Sequence, residues 1–239
     1  MTMSTNLSAQ AIETGKRAAA EAAMNYVHDG QLIGLGTGST VKYFLEALGR
    51  RVQNGWHIQG IPTSNATRRI AEQFGIPLLP DEGEWALDIA IDGADQVDPH
   101  FNLIKGGGGA LLREKIVAKA AKQFIVIVDA AKCVPALGTP MPLPVEIIPF
   151  GWPNTARYIE REGWKCSLRK QNGATFKTDS GNYILDVTID CINNPRETGR
   201  MLSQIPGVVE HGLFTGLASL VLVGSPDGVQ VIQEACRPD

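Results

Sequence analysis

Leu32-Ile-Gly-Leu-Gly-Thr-Gly-Ser-Thr40 decides the reading of the fold. Leu32 to Gly36 reads as a short strand, and Thr37-Gly38-Ser39-Thr40 leads from it into an amphipathic helix ending near Gly49. Upstream, the alanine-rich run from Ser8 to His28 has helical periodicity and is stopped by Asp29-Gly30. Downstream come a strand around His57 to Ile61 and a helix from Ala66 to Phe74. This βαβα rhythm predicts an α/β protein with a parallel sheet. Further strands are expected at Ile76 to Leu79, Leu87 to Ile91 and Phe124 to Val128. The last is continuously apolar, as a strand covered on both faces should be.

The rhythm changes after Lys132, where Pro135, Pro140, Pro142, Pro144 and Pro149 crowd together and mark a domain junction. Beyond it the pattern predicts a strand (Val145 to Ile148), a helix (Asn154 to Glu162) and a hairpin with strands Lys165 to Arg169 and Tyr183 to Thr188. A helix (Pro195 to Gln204) and a strand (Val208 to His211) follow. That order, βαββαβ, is the ferredoxin-like arrangement. A strand at Leu217 to Val223 and a helix from Gly228 to Cys236 are expected to return to the first sheet, which makes the small α+β domain an insertion.

Composition narrows the function. The 239 residues are 44% hydrophobic with a net charge of -3, so a broad basic surface for nucleic acid or anionic membrane is not expected. Cys133, Cys166, Cys191 and Cys236 are scattered without ligand spacing, and His28, His57, His100 and His211 show none either. The N-terminus lacks the apolar core of a signal peptide and no apolar string is long enough to span a bilayer, so a cytoplasmic protein is expected.

The loop after the first strand is placed to hold a phosphate, because unpaired N–H groups and the helix dipole converge there. It does not complete the dinucleotide fingerprint: Ser39 stands in the third glycine's place, and the next strand ends at Pro62-Thr63-Ser64 with no acidic residue for a ribose diol. Nor does it have the lysine of a nucleoside triphosphate loop. A phosphate monoester is the sharper expectation, and a plain tight turn the blander one.

A second segment carries the chemistry. Asp92-Gly-Ala-Asp95 follows an apolar strand, and Lys105 precedes Gly106 to Gly109 and the run Ala-Leu-Leu-Arg-Glu-Lys115. Asp92 and Asp95 should emerge at the ligand edge of the sheet, although Asp-Gly-Ala-Asp also suits an Asx turn. A divalent cation is a further reading of the two carboxylates, against which stand Lys105 and the missing histidine cluster. An ammonium beside a run of bare backbone N–H groups is preorganised for negative charge developing on oxygen.

With the helix starting near Ala110, Lys115, Lys119 and Lys122 form a solvent stripe, whereas Glu114 falls among Ala110, Ala118 and Ala121. Desolvation on such a face raises a carboxyl pKa toward the range of a general base. The simpler role is a first-turn glutamate complementing the helix dipole.

These motifs, in this order and spacing, resemble the ribose-5-phosphate isomerase type A family. The similarity extends to Asp129-Ala-Ala-Lys132, Pro-Leu-Pro-Val-Glu146, Ile205-Pro-Gly-Val-Val, Gly212-Leu-Phe and Gly-Ser-Pro-Asp-Gly228. Gly109 and Leu112 stand where some members have Ala and Thr. The resemblance implies a Rossmann-like catalytic domain (1–134 and 212–239) with the ferredoxin-like domain (135–211) inserted, in a homodimer or homotetramer. It implies interconversion of ribose 5-phosphate and ribulose 5-phosphate without metal or cofactor.

By the same resemblance Glu114 is the base and Lys105 stabilises the oxyanion. Asp92 serves ring opening and oxygen-bound protons, and Asp95 holds hydroxyls. Gly93, Ala94 and Gly106 to Gly108 line the sugar, while Thr37, Gly38, Ser39, Thr40, Lys132 and Lys16 meet the phosphate.

Rivals on the same scaffold are an amino-sugar-phosphate deaminase, a coenzyme A transferase with a glutamate nucleophile, and a sugar-phosphate sensor domain. Lys105 with its glycines serves an enediolate better than an acyl anhydride. The sensor would need a basic DNA-binding module, which this sequence does not show.

Overall fold

The computed structural model describes residues 8–233. In chain order they form α1 (Ala9–Ala23), β1 (Leu32–Leu35), α2 (Ser39–Gln53), β2 (Gln59–Pro62), α3 (Asn65–Gln73), β3 (Leu87–Asp92), β4 (Gln96–Val97), β5 (Leu103–Ile104), α4 (Leu111–Ala120) and β6 (Ala121–Asp129). There follow β7 (Leu143–Ile147), α5 (Trp152–Arg161), β8 (Lys165–Leu168), β9 (Lys170–Gln171), β10 (Ala174–Thr175), β11 (Tyr183–Thr188), α6 (Pro195–Ser203) and β12 (Val208–His211). The last strands are β13 (Leu213–Phe214), β14 (Leu220–Ser225) and β15 (Gly228–Gln233).

The main sheet has the order β15-β14-β6-β3-β1-β2, parallel except for β15. Strand periodicity divides its side chains between two cores. Ile89, Ile91, Ile125, Ile127, Leu220 and Leu222 meet alanines of α1 and the Val41-Phe44-Leu45-Leu48 stripe of α2. Ala90, Val126, Val128, Val221 and Val223 face the other way, against Val117 and Ala118 of α4 and against Phe214. The continuously apolar β6 is thus covered on both faces, as its sequence requires.

β2 lies on one side of β1 and β3 on the other, so strand order reverses between β1 and β3. In an open parallel sheet the crevice beyond the carboxyl ends at such a reversal is the natural ligand position. Here those ends carry Gly36 to Thr40 and Asp92 to Asp95.

The second sheet, antiparallel in the order β12-β7-β11-β8, packs Val145, Ile147, Leu185 and Val187 against Ala156 and Ile159 of α5 and Leu202 of α6. This is the expected βαββαβ unit. The chain leaves the main sheet after β6 and rejoins it at β14, which pairs with β6, so the unit is an insertion in an α/β fold.

Three elements differ from expectation. Ile76 to Leu79 makes only an isolated bridge, Leu78 to Gly60. α2 passes through Gly49 to Gln53, and Gly49 is bare because a Cβ there would meet Phe74 at 2.6 Å. The region after Gly228 is an edge strand through Gln233, with the rest of the expected helix, to Cys236, outside the described residues. The Ser225-Pro-Asp-Gly228 turn, with Gly228 at φ +132°, folds the β-branched Val229, Val231 and Ile232 back onto β14 as a hairpin.

Candidate active site

Asp92, the last residue of β3, is 3% exposed. Its Oδ1 accepts from the N–H groups of Thr37 (2.9 Å) and Gly93 (2.7 Å), and its Oδ2 lies 3.0 Å from Lys105 Nζ. Gly36 has to be bare, because a Cβ there would run into the Asp92 carboxylate. The chain after β1 and the chain after β3 are therefore tied together by one buried carboxylate.

Lys105 follows β5, which is held between β4 and β13. Its N–H donates to Gly212 O at 2.9 Å, and its Nζ donates to Gly93 O at 2.6 Å. The ammonium is 2% exposed. The glycines after it form a turn, with Gly106 at φ +101° and Gly109 at φ +82°, conformations that an L side chain rarely adopts. The Gly107 N–H donates to Asp95 Oδ2 at 2.7 Å. From the inserted unit, Arg169 donates to the carbonyls of Gly106 (2.8 Å) and Gly107 (3.1 Å) and pairs with Asp186.

Glu114, in the first turn of α4, is 5% exposed. Its Oε2 is 3.4 Å from Lys105 Nζ, an ionic contact without hydrogen-bond geometry, so this oxygen has no hydrogen-bond partner. Burial pushes the Glu114 carboxyl up to about 8, opposed by Lys105 and reinforced by Asp92 and Asp95. Burial also raises Asp92 against the pull of Lys105. Burial disfavours charge on Lys105, but Asp92 and Glu114 outweigh it and hold its pKa above the ordinary range. The result is a permanent cation beside a carboxyl group poised to exchange a proton near neutral pH.

A cleft of about 360 Å³ opens over these groups. It is lined by Thr37, Gly38, Ser39 and Thr40 at the start of α2, by Gly93, Ala94 and Asp95, by Lys105 to Gly108, and by Glu114, Lys132 and Lys16. Lys16 reaches it because α1 lies against β14, where Gly15 and Gly224 meet backbone to backbone. The sequence-designated residues thus converge, with one difference. Asp92 does not line the cleft; it lies behind Lys105 with both oxygens engaged.

Thr37 lines the wall, but its hydroxyl is held by those of Thr63 (2.7 Å), Ser64 (2.9 Å) and Thr67 (3.0 Å). Open toward the cavity are the α2 N-terminus, with Gly38 as its cap residue, and the two lysines. Among the described residues no group of three His, Cys, Asp or Glu side chains could hold a metal ion.

Sequence reasoning missed several supporting residues. Lys115, expected on a solvent stripe, is 7% exposed and buried against Glu210 and His211. Glu146 is buried with Thr178 and Asn182, and Arg169 holds the glycine turn. Their partners lie tens of residues away, so no local pattern signals them.

The family model described as ribose 5-phosphate isomerase A (phosphoriboisomerase A) matches residues 59–228. Ribose-5-phosphate isomerase A of Bradyrhizobium diazoefficiens is 49% identical over 229 residues, covering 91% of this chain and 95% of the relative. The structure of ribose 5-phosphate isomerase A from Methanocaldococcus jannaschii superposes with a TM-score of 0.87 at 40% identity, over 92% of this chain and 98% of that one. A D-ribose-5-phosphate isomerase solved in complex with phospho-erythronic acid superposes with a TM-score of 0.90 at 40% identity, over 93% and 99%.

Proposed function

The chain belongs to the ribose 5-phosphate isomerase A family, and we propose for it an enediolate route in which Glu114 is the base. It is an aldose–ketose isomerase that interconverts D-ribose 5-phosphate and D-ribulose 5-phosphate. The observation that carries the route is the partner-free Glu114 oxygen, buried at the cleft and 3.4 Å from an ammonium that is itself buried.

With the open-chain aldose in the cleft, Glu114 takes the proton from carbon 2 and the electron pair of that C–H bond becomes the carbon 1–carbon 2 double bond. The carbonyl π electrons move onto oxygen 1, beside Lys105 and the Gly106 to Gly108 turn. A preorganised cation in a dry site stabilises that charge without reorganising. The proton on oxygen 2 passes to oxygen 1, and Glu114 returns its proton to carbon 1, leaving the ketose. Every proton removed is restored, so the reaction is a rearrangement.

Asp95, which lines the cleft, meets the sugar hydroxyls. Asp92 acts from behind: it anchors Lys105 and so holds the ammonium against the sugar oxygens during ring opening and enediolate formation. The phosphate lies at Gly38 to Thr40 with Lys132 and Lys16, and Thr37 braces the wall. The relative's ligand, phospho-erythronic acid, is a sugar-acid phosphate whose carboxylate resembles the charge of an enediolate, which supports this reading.

Residues 1–134 and 212–239 form the catalytic domain and 135–211 the inserted one, in a cytoplasmic homo-oligomer. No helix among the described residues is long and apolar enough to cross a membrane.

Glu114→Gln keeps the shape of the side chain but cannot accept the carbon-bound proton. Turnover should fall by about 10³-fold or more while ribose 5-phosphate still binds. Wild-type enzyme in D₂O should place solvent deuterium on carbon 1 of the ketose. A mutant with wild-type turnover would remove Glu114 from the role of base. Complete transfer of a carbon 2 deuterium label in water would replace the enediolate with a hydride shift.

A further inference from the structure

Lys115 is the residue after Glu114 and points the other way, out of the cleft and into the contact between α4 and the inserted unit. Its Nζ donates to Glu210 Oε1 at 2.6 Å and to the His211 carbonyl at 2.6 Å, both on β12. The Nζ lies 4.9 Å from the centroid of the buried Phe214 ring, and Lys105 Nζ lies 5.5 Å from the same centroid. The ammonium of the catalytic site and the ammonium of this clamp therefore share one aromatic ring, and Glu114 stands between them in the chain. Burying Lys115 has a desolvation cost, so this is an expensive way to fasten a helix that apolar contacts could hold. A hydrogen-bonded ion pair adds direction and length to the attachment, which apolar packing does not.

We propose that Lys115 is a positioning residue: by docking the first turn of α4 on β12, it sets the Glu114 carboxylate against Lys105 and the carbon-bound proton. Through the Phe214 ring the same contact fixes the height of Lys105. The inserted unit is then part of the catalytic apparatus without supplying a group that touches substrate. This inference rests on Glu114 being the base.

Lys115→Met keeps length and apolar bulk and removes the ammonium. A displacement of about 1 Å at a reacting group costs up to about 10²-fold. The expected result is a loss in kcat of about tenfold or more per folded molecule, with KM for ribose 5-phosphate within about twofold of wild type. Lys115→Arg, which restores a cation and its donors, should recover part of that loss. The folded fraction, read by circular dichroism, separates mispositioning from simple unfolding.

A Lys115→Met protein with wild-type kcat per folded molecule would overturn the proposal. If Lys115→Met does not fold, Glu210→Gln tests the same contact: it keeps an acceptor and removes the charge, and should lower kcat at constant KM. Unchanged kcat there would also overturn it. Failure of the base assignment looks different, since Glu114→Gln would then be active whatever the clamp variants do.

Discussion

Glu114 is chemically an ordinary glutamate, and where it is put suits it to the role of base proposed for it. A carboxylate in the first turn of a helix normally complements the dipole and stays ionised. Burial reverses that preference, and the carboxyl is pushed up to about 8 even with Lys105 beside it. A base with a raised pKa is strong enough to remove a carbon-bound proton, yet is fully available only when the medium is alkaline enough to ionise it. Hence kcat/KM, which reports the free enzyme, should climb with pH between 6 and 8 by up to about tenfold per unit, and stop climbing above about 8, where Glu114 is ionised and Lys115, lowered to about 8 by burial, loses its charge. An initial-rate series at subsaturating substrate checks this, and a flat profile over that interval would contradict the raised pKa. Asp92 shows the opposite lesson. Its position at a strand end was legible, but its place behind Lys105 follows from Gly36, Thr37, Gly93 and Lys105 closing around it.

At the scale of elements, α4 is the piece whose placement matters most, and its own sequence does little to place it. Ala110 in the cap position has no side chain to accept from the helix N–H groups. A carboxylate from the other unit lies beside this turn without capping it: Glu146 of β7, near Leu112 and Arg113, is 1% exposed, and its Oε2 has no hydrogen-bond partner. Its Oε1 accepts from Thr178 Oγ1 and from Asn182 Nδ2, each at 2.9 Å. Burial nevertheless raises the carboxyl overall, so its ionised form depends on those donors. Glu146→Ala removes the acceptor and leaves Thr178 and Asn182 unpaired in a buried site. It should destabilise the protein by about 2 kcal/mol, with Glu146→Gln costing less because the amide still accepts. Urea unfolding midpoints of the two variants check this. Equal stability of Glu146→Ala and wild type would show that the Glu146, Thr178 and Asn182 network does not stabilise the fold.

At the scale of the whole molecule, the inserted unit reaches the main-sheet unit at several places. Arg169 holds the glycine turn, Glu210 and His211 hold Lys115, and Asp179 accepts from the Asn65 backbone N–H at 2.7 Å at the start of α3. The first two reach the glycine turn and the first turn of α4, which line the cleft. The same unit leaves Phe150 88% exposed, with Ile148 after β7 and Val209 on the edge strand β12 also exposed. Large apolar side chains grouped at a sheet edge favour association. This supports the homodimer or homotetramer of the proposal, and sedimentation at micromolar concentration should give a mass above that of one chain. A monomer at that concentration would refute it. Phe150→Ser should shift the equilibrium toward smaller species.

Sequence alone determined what periodicity and local chemistry encode: the parallel α/β rhythm, the βαββαβ insertion, the phosphate-type loop at Thr37 to Thr40, and the concentration of Asp92, Asp95, Lys105 and Glu114 in one short segment. These were legible because a helix stripe, a strand alternation and a glycine turn are each set by residues within a few positions of one another. The short β4, β5 and β13 were not, because two-residue strands exist only through their partners. The segment after Gly228 reads locally as a helix yet is an edge strand for a related reason: its pairing with β14, rather than its own pattern, decides its conformation. Burial was the other thing tertiary structure decided. It turned Lys115 from a solvent lysine into a clamp, placed Asp92 behind Lys105 and gave Glu114 its raised pKa. Desolvation depends on every atom packed around a charge, and those atoms come from elements far apart in the chain.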